Sequence, residues 1–117
     1  MSSELPRPIS AREATPVREA FAVAPTAAAR PAMLDNLEDL HVTYRCPCGC
    51  ASVSFGATLD PESVLVRVAD ARGTTEQGEE VGFLVQGFGD RVAHVEVYWH
   101  HAAGAPLPLP GTLRSYA

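Results

Sequence analysis

The chain has 117 residues and a mass of 12.4 kDa, which leaves room for one domain. Hydrophobic residues make up 46% and charged residues 20%, a globular composition rather than that of a disordered or membrane-spanning chain. All nine basic residues are arginine, and residues 32–117 carry five of them against eleven Asp or Glu. This acidic balance argues against nucleic acid and anionic membranes as partners.

Residues 1–31 contain five Pro and eight Ala. Thr15 and Pro16 suit the first turn of a short helix, and Pro25 would end it. We therefore expect a flexible or weakly helical N-terminal extension, with a docking segment for a partner as the alternative. The extension has no apolar signal core, and the chain has no transmembrane stretch, so a cytoplasmic protein is expected.

A second helix is predicted after Pro31, because Met33, Leu34, Leu37 and Leu40 form one apolar stripe. The following segments alternate with period two, which is typical of strands with one buried face. The pattern predicts an α+β domain over residues 32–104, in which the helix packs on an antiparallel meander. The five strand candidates are residues 41–46, 51–57, 64–70, 81–88 and 92–100. Residues 71–80 are expected to form an acidic loop, and residues 105–117 a Pro-rich surface strap.

The last two strand candidates are joined by Gly89 and Asp90, which suit a two-residue hairpin turn. That turn places Phe88 opposite Arg91, and ideal pairing then gives three pairs on the buried face: Gln86 with Ala93, Leu84 with Val95, and Gly82 with Val97. The other face is predicted to bind a protein partner or a second copy of the chain. The alternatives are that the N-terminal segment or the strap covers it, or that its polar row is ordinary solvated surface. The predicted binding face comprises Val81, Phe83, Val85, His94, Glu96, Tyr98 and His100.

Cys46, Cys48 and Cys50 alternate in sequence, and in an extended chain their thiols point to one side. Thiolates bind zinc well, but a second Cys knuckle is missing, so the fourth ligand would come from one of four histidines. Buried, reduced cysteines in a Pro/Gly turn are the alternative. A catalytic thiol has no evident activating base, and no catalytic residue is assigned. The candidate fourth ligands are His41, His94, His100 and His101.

Three segments carry a resemblance to known proteins: Arg45-Cys-Pro-Cys-Gly-Cys-Ala-Ser-Val-Ser-Phe55, Val81-Gly-Phe-Leu-Val85 and Val95-Glu-Val-Tyr98. They resemble a group of small actinobacterial-type proteins with an Arg-Cys-x-Cys-Gly-Cys segment and no assigned function. The resemblance covers about residues 32–114, and Ala51 departs from it where the group often has Pro. It implies the domain boundary and carries no site residue.

The small size, the acidic body and the predicted binding face favour a non-catalytic interaction domain. An immunity-type or accessory protein that binds a larger protein would fit this description. The alternative is a zinc-binding module built from Cys and His. A small-molecule-binding protein or enzyme is the third hypothesis.

Overall fold

A computed structural model describes residues 5–47, 49–56, 64–99 and 104–116. Within these residues one six-stranded antiparallel sheet and one main helix form the fold, so the predicted α+β class with a small antiparallel sheet is confirmed. The main helix α1 spans Ala11–Val23, and a short helix α2 spans Ala32–Asp35. The strands are β1 (Arg7–Pro8), β2 (His41–Arg45), β3 (Val53–Phe55), β4 (Val66–Thr74), β5 (Glu80–Phe88) and β6 (Arg91–Tyr98).

The strand order is β1-β2-β3-β6-β5-β4, which corrects the expected five-stranded meander in two respects. Residues 7–8 add a short strand on β2, and β4 lies at the far edge of the sheet. The chain then returns through two hairpins, which bring β6 beside β3. Strand β4 also runs on to Thr74, into the segment expected to be an acidic loop. The remaining turn carries exposed Glu76 and Glu79.

Helix α1 packs on one face of the sheet, which we call the core face. Val17 and Ala20 of α1 are fully buried and belong to the same hydrophobic cluster as Phe83 and Val85 of β5. Burial of such side chains is the main favourable term in folding. Helix α1 is therefore a packed part of the fold and not the flexible or weakly helical extension that we expected.

The start of α1 differs from the prediction at Thr15 and Pro16. Ser10 caps the helix, since its hydroxyl accepts a hydrogen bond from the Glu13 backbone N–H while the Glu13 carboxylate accepts one from the Ser10 N–H. This reciprocal capping box satisfies two backbone donors at the helix start. Arg7 then pairs with Glu13 at 2.8 Å. Pro16 falls inside the helix, where it removes one backbone hydrogen bond.

The apolar stripe predicted after Pro31 forms two short elements rather than one helix. Helix α2 ends at Asp35, and a 3-10 turn follows over Leu37–Asp39. Met33 and Leu37 are still buried in the core cluster. The stripe therefore reaches the core as expected, although it is divided at Asn36.

The β5–β6 hairpin has the predicted turn but not the predicted register. Phe88 lies opposite Arg91 as expected, but the pairing then shifts by one residue between Gln86 and Gly87. This bulge leaves one residue of β6, Ala93, without a partner in β5, and Val85 consequently pairs with Val95. A shift of one residue moves every later side chain to the other face. The predicted faces were therefore wrong for β5, whose Phe83 and Val85 face the core, and correct for β6, whose Val95 and Val97 do so.

The C-terminal strap, residues 105–116, lies along β4. Arg114 and Arg72 exchange two backbone hydrogen bonds, and the Leu109 N–H donates to the Thr74 carbonyl. The segment after α1 covers another part of the same edge, because the Asp70 N–H donates to the Ala24 carbonyl. Covered edges do not template pairing with other chains. None of the helices in the described ranges has the length and apolar character to cross a membrane.

Candidate functional site

The sheet face opposite α1 carries the candidate site, and we call it the open face. Its cross-strand neighbours include Tyr44 opposite Ser54, Ser54 opposite His94, and His94 opposite Gln86. Next to this row lies a cleft of about 380 Å³. Its described lining consists of Tyr44, Cys46, Cys50, Ser52, His94, Glu96, Val97, Tyr98, Gly104 and Ala105.

The structure divides the predicted binding face between the two sides of the sheet. Val81, Phe83 and Val85 are at most 1% exposed and belong to the hydrophobic core, so they do not lie beside the polar row. His94, Glu96 and Tyr98 do lie together, along the open face and in the lining of the cleft. His100 lies outside the described residues. Leu84, which was expected in the core beside Val95, is instead opposite Glu96 and is buried on the open face.

Two of the three predicted metal ligands reach the cleft. Cys46 and Cys50 are half-buried in its lining, and Cys48 lies outside the described residues. The Cys50 thiol donates to the Ser52 hydroxyl over 3.3 Å. Within the described part of the chain, no three His, Cys, Asp or Glu side chains converge closely enough to hold a metal ion. His41 is exposed, with Nδ1 3.2 Å from the Asp39 carbonyl oxygen.

Ser52 lines the cleft directly before the start of β3, and its side chain bonds the backbone of β6. Its hydroxyl oxygen accepts a hydrogen bond from the Val97 N–H at 2.8 Å and donates to the Val97 carbonyl oxygen at 3.3 Å. Ser52 is 6% exposed. A side chain thus satisfies buried backbone groups of β6 where a strand partner is missing. This anchors the cysteine-containing loop to the open face.

Ser54 and His94 form a close polar pair at the centre of the open face. The Ser54 hydroxyl oxygen lies 2.8 Å from His94 Nδ1. Burial lowers the pKa of His94, and the negative charge of Glu96 only partly offsets that effect. The imidazole is therefore neutral near pH 7 and offers one nitrogen as a donor and the other as an acceptor. Such a group orients a ligand by hydrogen bonding, without adding charge to the cleft.

Two tyrosines, Tyr98 and Tyr116, meet on the part of the open face next to β4 and β5. The phenol end of Tyr98 lies over Gly82, where an added Cβ would overlap the ring, and its hydroxyl is 3.2 Å from that of Tyr116. Tyr116 in turn stacks beneath the guanidinium of Arg72, 5.7 Å from the ring centre. Tyr44, on β2, also lines the cleft and is 54% exposed. Two tyrosines, Tyr44 and Tyr98, therefore line the cleft.

Sequence reasoning missed three residues of this site: Tyr44, Ser52 and Ser54. Ser52 and Ser54 alternate with Val53 and Phe55, both of which face the core. That alternation already assigned the two serines to the opposite face. Tyr44 carried no such signal, because a register shift in β2 between Val42 and Tyr44 decides its face.

Comparisons of the chain with protein-family models, with curated proteins and with solved structures find no match. The geometry of the open face is consequently the basis for any statement on function.

Proposed function

We propose that this protein is a non-catalytic interaction domain that binds a protein partner through the open face of its sheet. The observation that carries the proposal is which surfaces of the sheet are packed against other parts of the chain and which are exposed. Helix α1 packs on the core face, and the strap protects the β4 edge and contacts the open face at Tyr98 through Tyr116. The rest of the open face presents Tyr44 and the cleft to solvent.

The chemistry of the open face supports a protein as the occupant. Tyrosine is enriched at protein interfaces, since its ring supplies contact area while its hydroxyl supplies a hydrogen bond. The cleft runs alongside a broad sheet surface, so it suits an anchor side chain of a partner that also contacts the neighbouring strands. Neutral His94 and Ser54 would supply directional hydrogen bonds at the centre.

The test compares affinities after the partner has been isolated from the cells that make the protein. Tyr44→Ala should weaken binding of the purified partner by about tenfold or more, as expected for an interface anchor. Val23→Ala is the matched control, because Val23 is 42% exposed on α1, on the other side of the molecule. It should leave the affinity unchanged. Equal losses for both variants, or a loss for Val23→Ala alone, would overturn the proposal.

A zinc-binding module is the second candidate, and one observation favours it: Cys46, Cys50 and His94 all line the same cleft, although these described side chains do not converge closely enough to hold a metal ion. Zinc measured in protein purified without added metal separates the two functions. One zinc ion per chain that is lost in a Cys46→Ser variant would support the metal site. A zinc-free protein that is stable and still binds its partner would contradict the zinc-binding function.

A further inference from the structure

The cleft carries one negative charge and no positive charge in its described lining. Among the described lining residues Glu96 is the only Asp or Glu and none is Arg, while burial keeps His94 neutral. Glu96 is exposed, and none of the ion pairs among the described residues includes it. The net charge of the chain is −5. The net charge and this exposed carboxylate together favour a cationic group over an anionic one as the occupant.

The same face already contains one completed arrangement of a tyrosine, a carboxylate and an arginine. Arg72 stacks on Tyr116, and its Nη1 forms an ion pair over 3.7 Å with a Glu80 carboxylate oxygen that also accepts a hydrogen bond from Arg114 at 3.0 Å. A guanidinium suits such a site, because it is attracted to the ring face and also pairs with the carboxylate. In the cleft, Tyr44, Tyr98 and Glu96 supply the rings and the carboxylate. These side chains offer a guanidinium the same two kinds of contact.

From this juxtaposition we infer that the cleft binds the guanidinium of an arginine side chain presented by a basic segment of the protein partner. The inference rests on the proposed function and names the chemistry of its anchor. The guanidinium donates to the Glu96 carboxylate and lies against a tyrosine ring. A partner that lacks an exposed arginine is not accommodated in this way.

The experiment is an NMR titration of the full chain with N-acetyl-L-arginine methylamide as the probe. The matched probe is the citrulline derivative, which keeps nearly the same shape but has no charge. The arginine probe should shift the backbone amide signals of Tyr44 and of β6 around Glu96. The affinity of the citrulline probe should be lower by about fivefold or more. Equal binding of the two probes, or shifts confined to other parts of the molecule, would overturn the inference.

Two variants locate the charge that matters. Glu96→Gln should weaken arginine binding by about fivefold, because it removes the carboxylate from the cleft. Asp35→Asn removes the same charge from an exposed position on α2 and should change the affinity less than twofold. Similar losses in both variants would mean that net charge alone attracts the probe, which would contradict a defined site.

The outcomes separate this inference from the proposed function. If arginine does not bind while Tyr44→Ala still weakens binding of the partner, the cation site is wrong and the interaction function stands. If arginine binds in the cleft while Tyr44→Ala leaves the partner unaffected, the cation site stands and the proposed interface is wrong.

Discussion

At the scale of single residues, a serine directly before β3 and a serine within β3 have different roles. Ser52 is buried and bonds both the N–H and the carbonyl of Val97, whereas Ser54 is half-buried and contacts His94. Removing a partner from a buried backbone group costs the desolvation of that group, while a partly exposed pair can be replaced by water.

Ser52→Ala should therefore lower the free energy of unfolding by about 1–3 kcal/mol. Ser54→Ala is the matched control and should cost less than about 1 kcal/mol. Urea denaturation of both variants measures the difference. If Ser54→Ala is the more damaging substitution, the backbone role of Ser52 is contradicted.

His94 gives the protein a predictable pH dependence. Burial lowers its pKa in the folded state, so below its ordinary value of about 6.5 the unfolded chain binds more protons than the folded one. The stability that neutral His94 contributes is complete above that value and declines as the pH falls below it. Thermal denaturation between about pH 5 and 7 should show this decline, and His94→Gln should reduce it. A profile that the substitution leaves unchanged would contradict the assignment.

At the scale of elements, the sequence predicted the β5–β6 turn but not the pairing beyond it. Ideal two-residue hairpin geometry implied one register, while the apolar patterns of the two strands implied another. Phe83 can lie opposite Val97, and Val85 opposite Val95, only if β6 carries one extra residue near Ala93. The pattern should have outweighed ideal geometry, because burial of one face strongly specifies register. The capping box from Ser10 to Glu13 was also readable in the sequence.

A double-mutant cycle tests the observed register. Val85→Ala and Val95→Ala remove directly opposed side chains on the core face and should show a coupling energy of about 0.5–1 kcal/mol. Leu84→Ala with Val95→Ala is the control, because these side chains lie on opposite faces of the sheet. Its coupling should stay within about 0.3 kcal/mol. The reverse result would restore the ideal hairpin register.

At the scale of the whole molecule, the two terminal segments complete the sheet. Helix α1 covers the core face, the residues after it pair with β4, and the strap pairs with the same edge. These contacts join positions far apart in sequence, which explains why local propensity did not reveal them. The Pro and Ala content of the first 31 residues indicated flexibility, although Val17 and Ala20 are fully buried.

Deletion of residues 1–30 should therefore abolish cooperative unfolding, because it uncovers the core face and part of the β4 edge. Fully buried Val17 and Ala20 are lost together with the backbone bonds to Val68 and Asp70. Calorimetry of the truncated and full-length chains provides the measurement. A truncated chain with a sharp transition near the full-length melting temperature would show that α1 is dispensable for the core.

The central claim is that the open face is the surface on which this protein meets its partner, and site-specific photo-crosslinking in the native cells tests it most directly. A photoreactive phenylalanine analogue at Tyr44 should give an adduct with one protein, and the same analogue at Val23 on α1 should not. An adduct with a second copy of the chain would identify a homo-oligomer on this face. Adducts formed at Val23 while Tyr44 gives none would contradict the account.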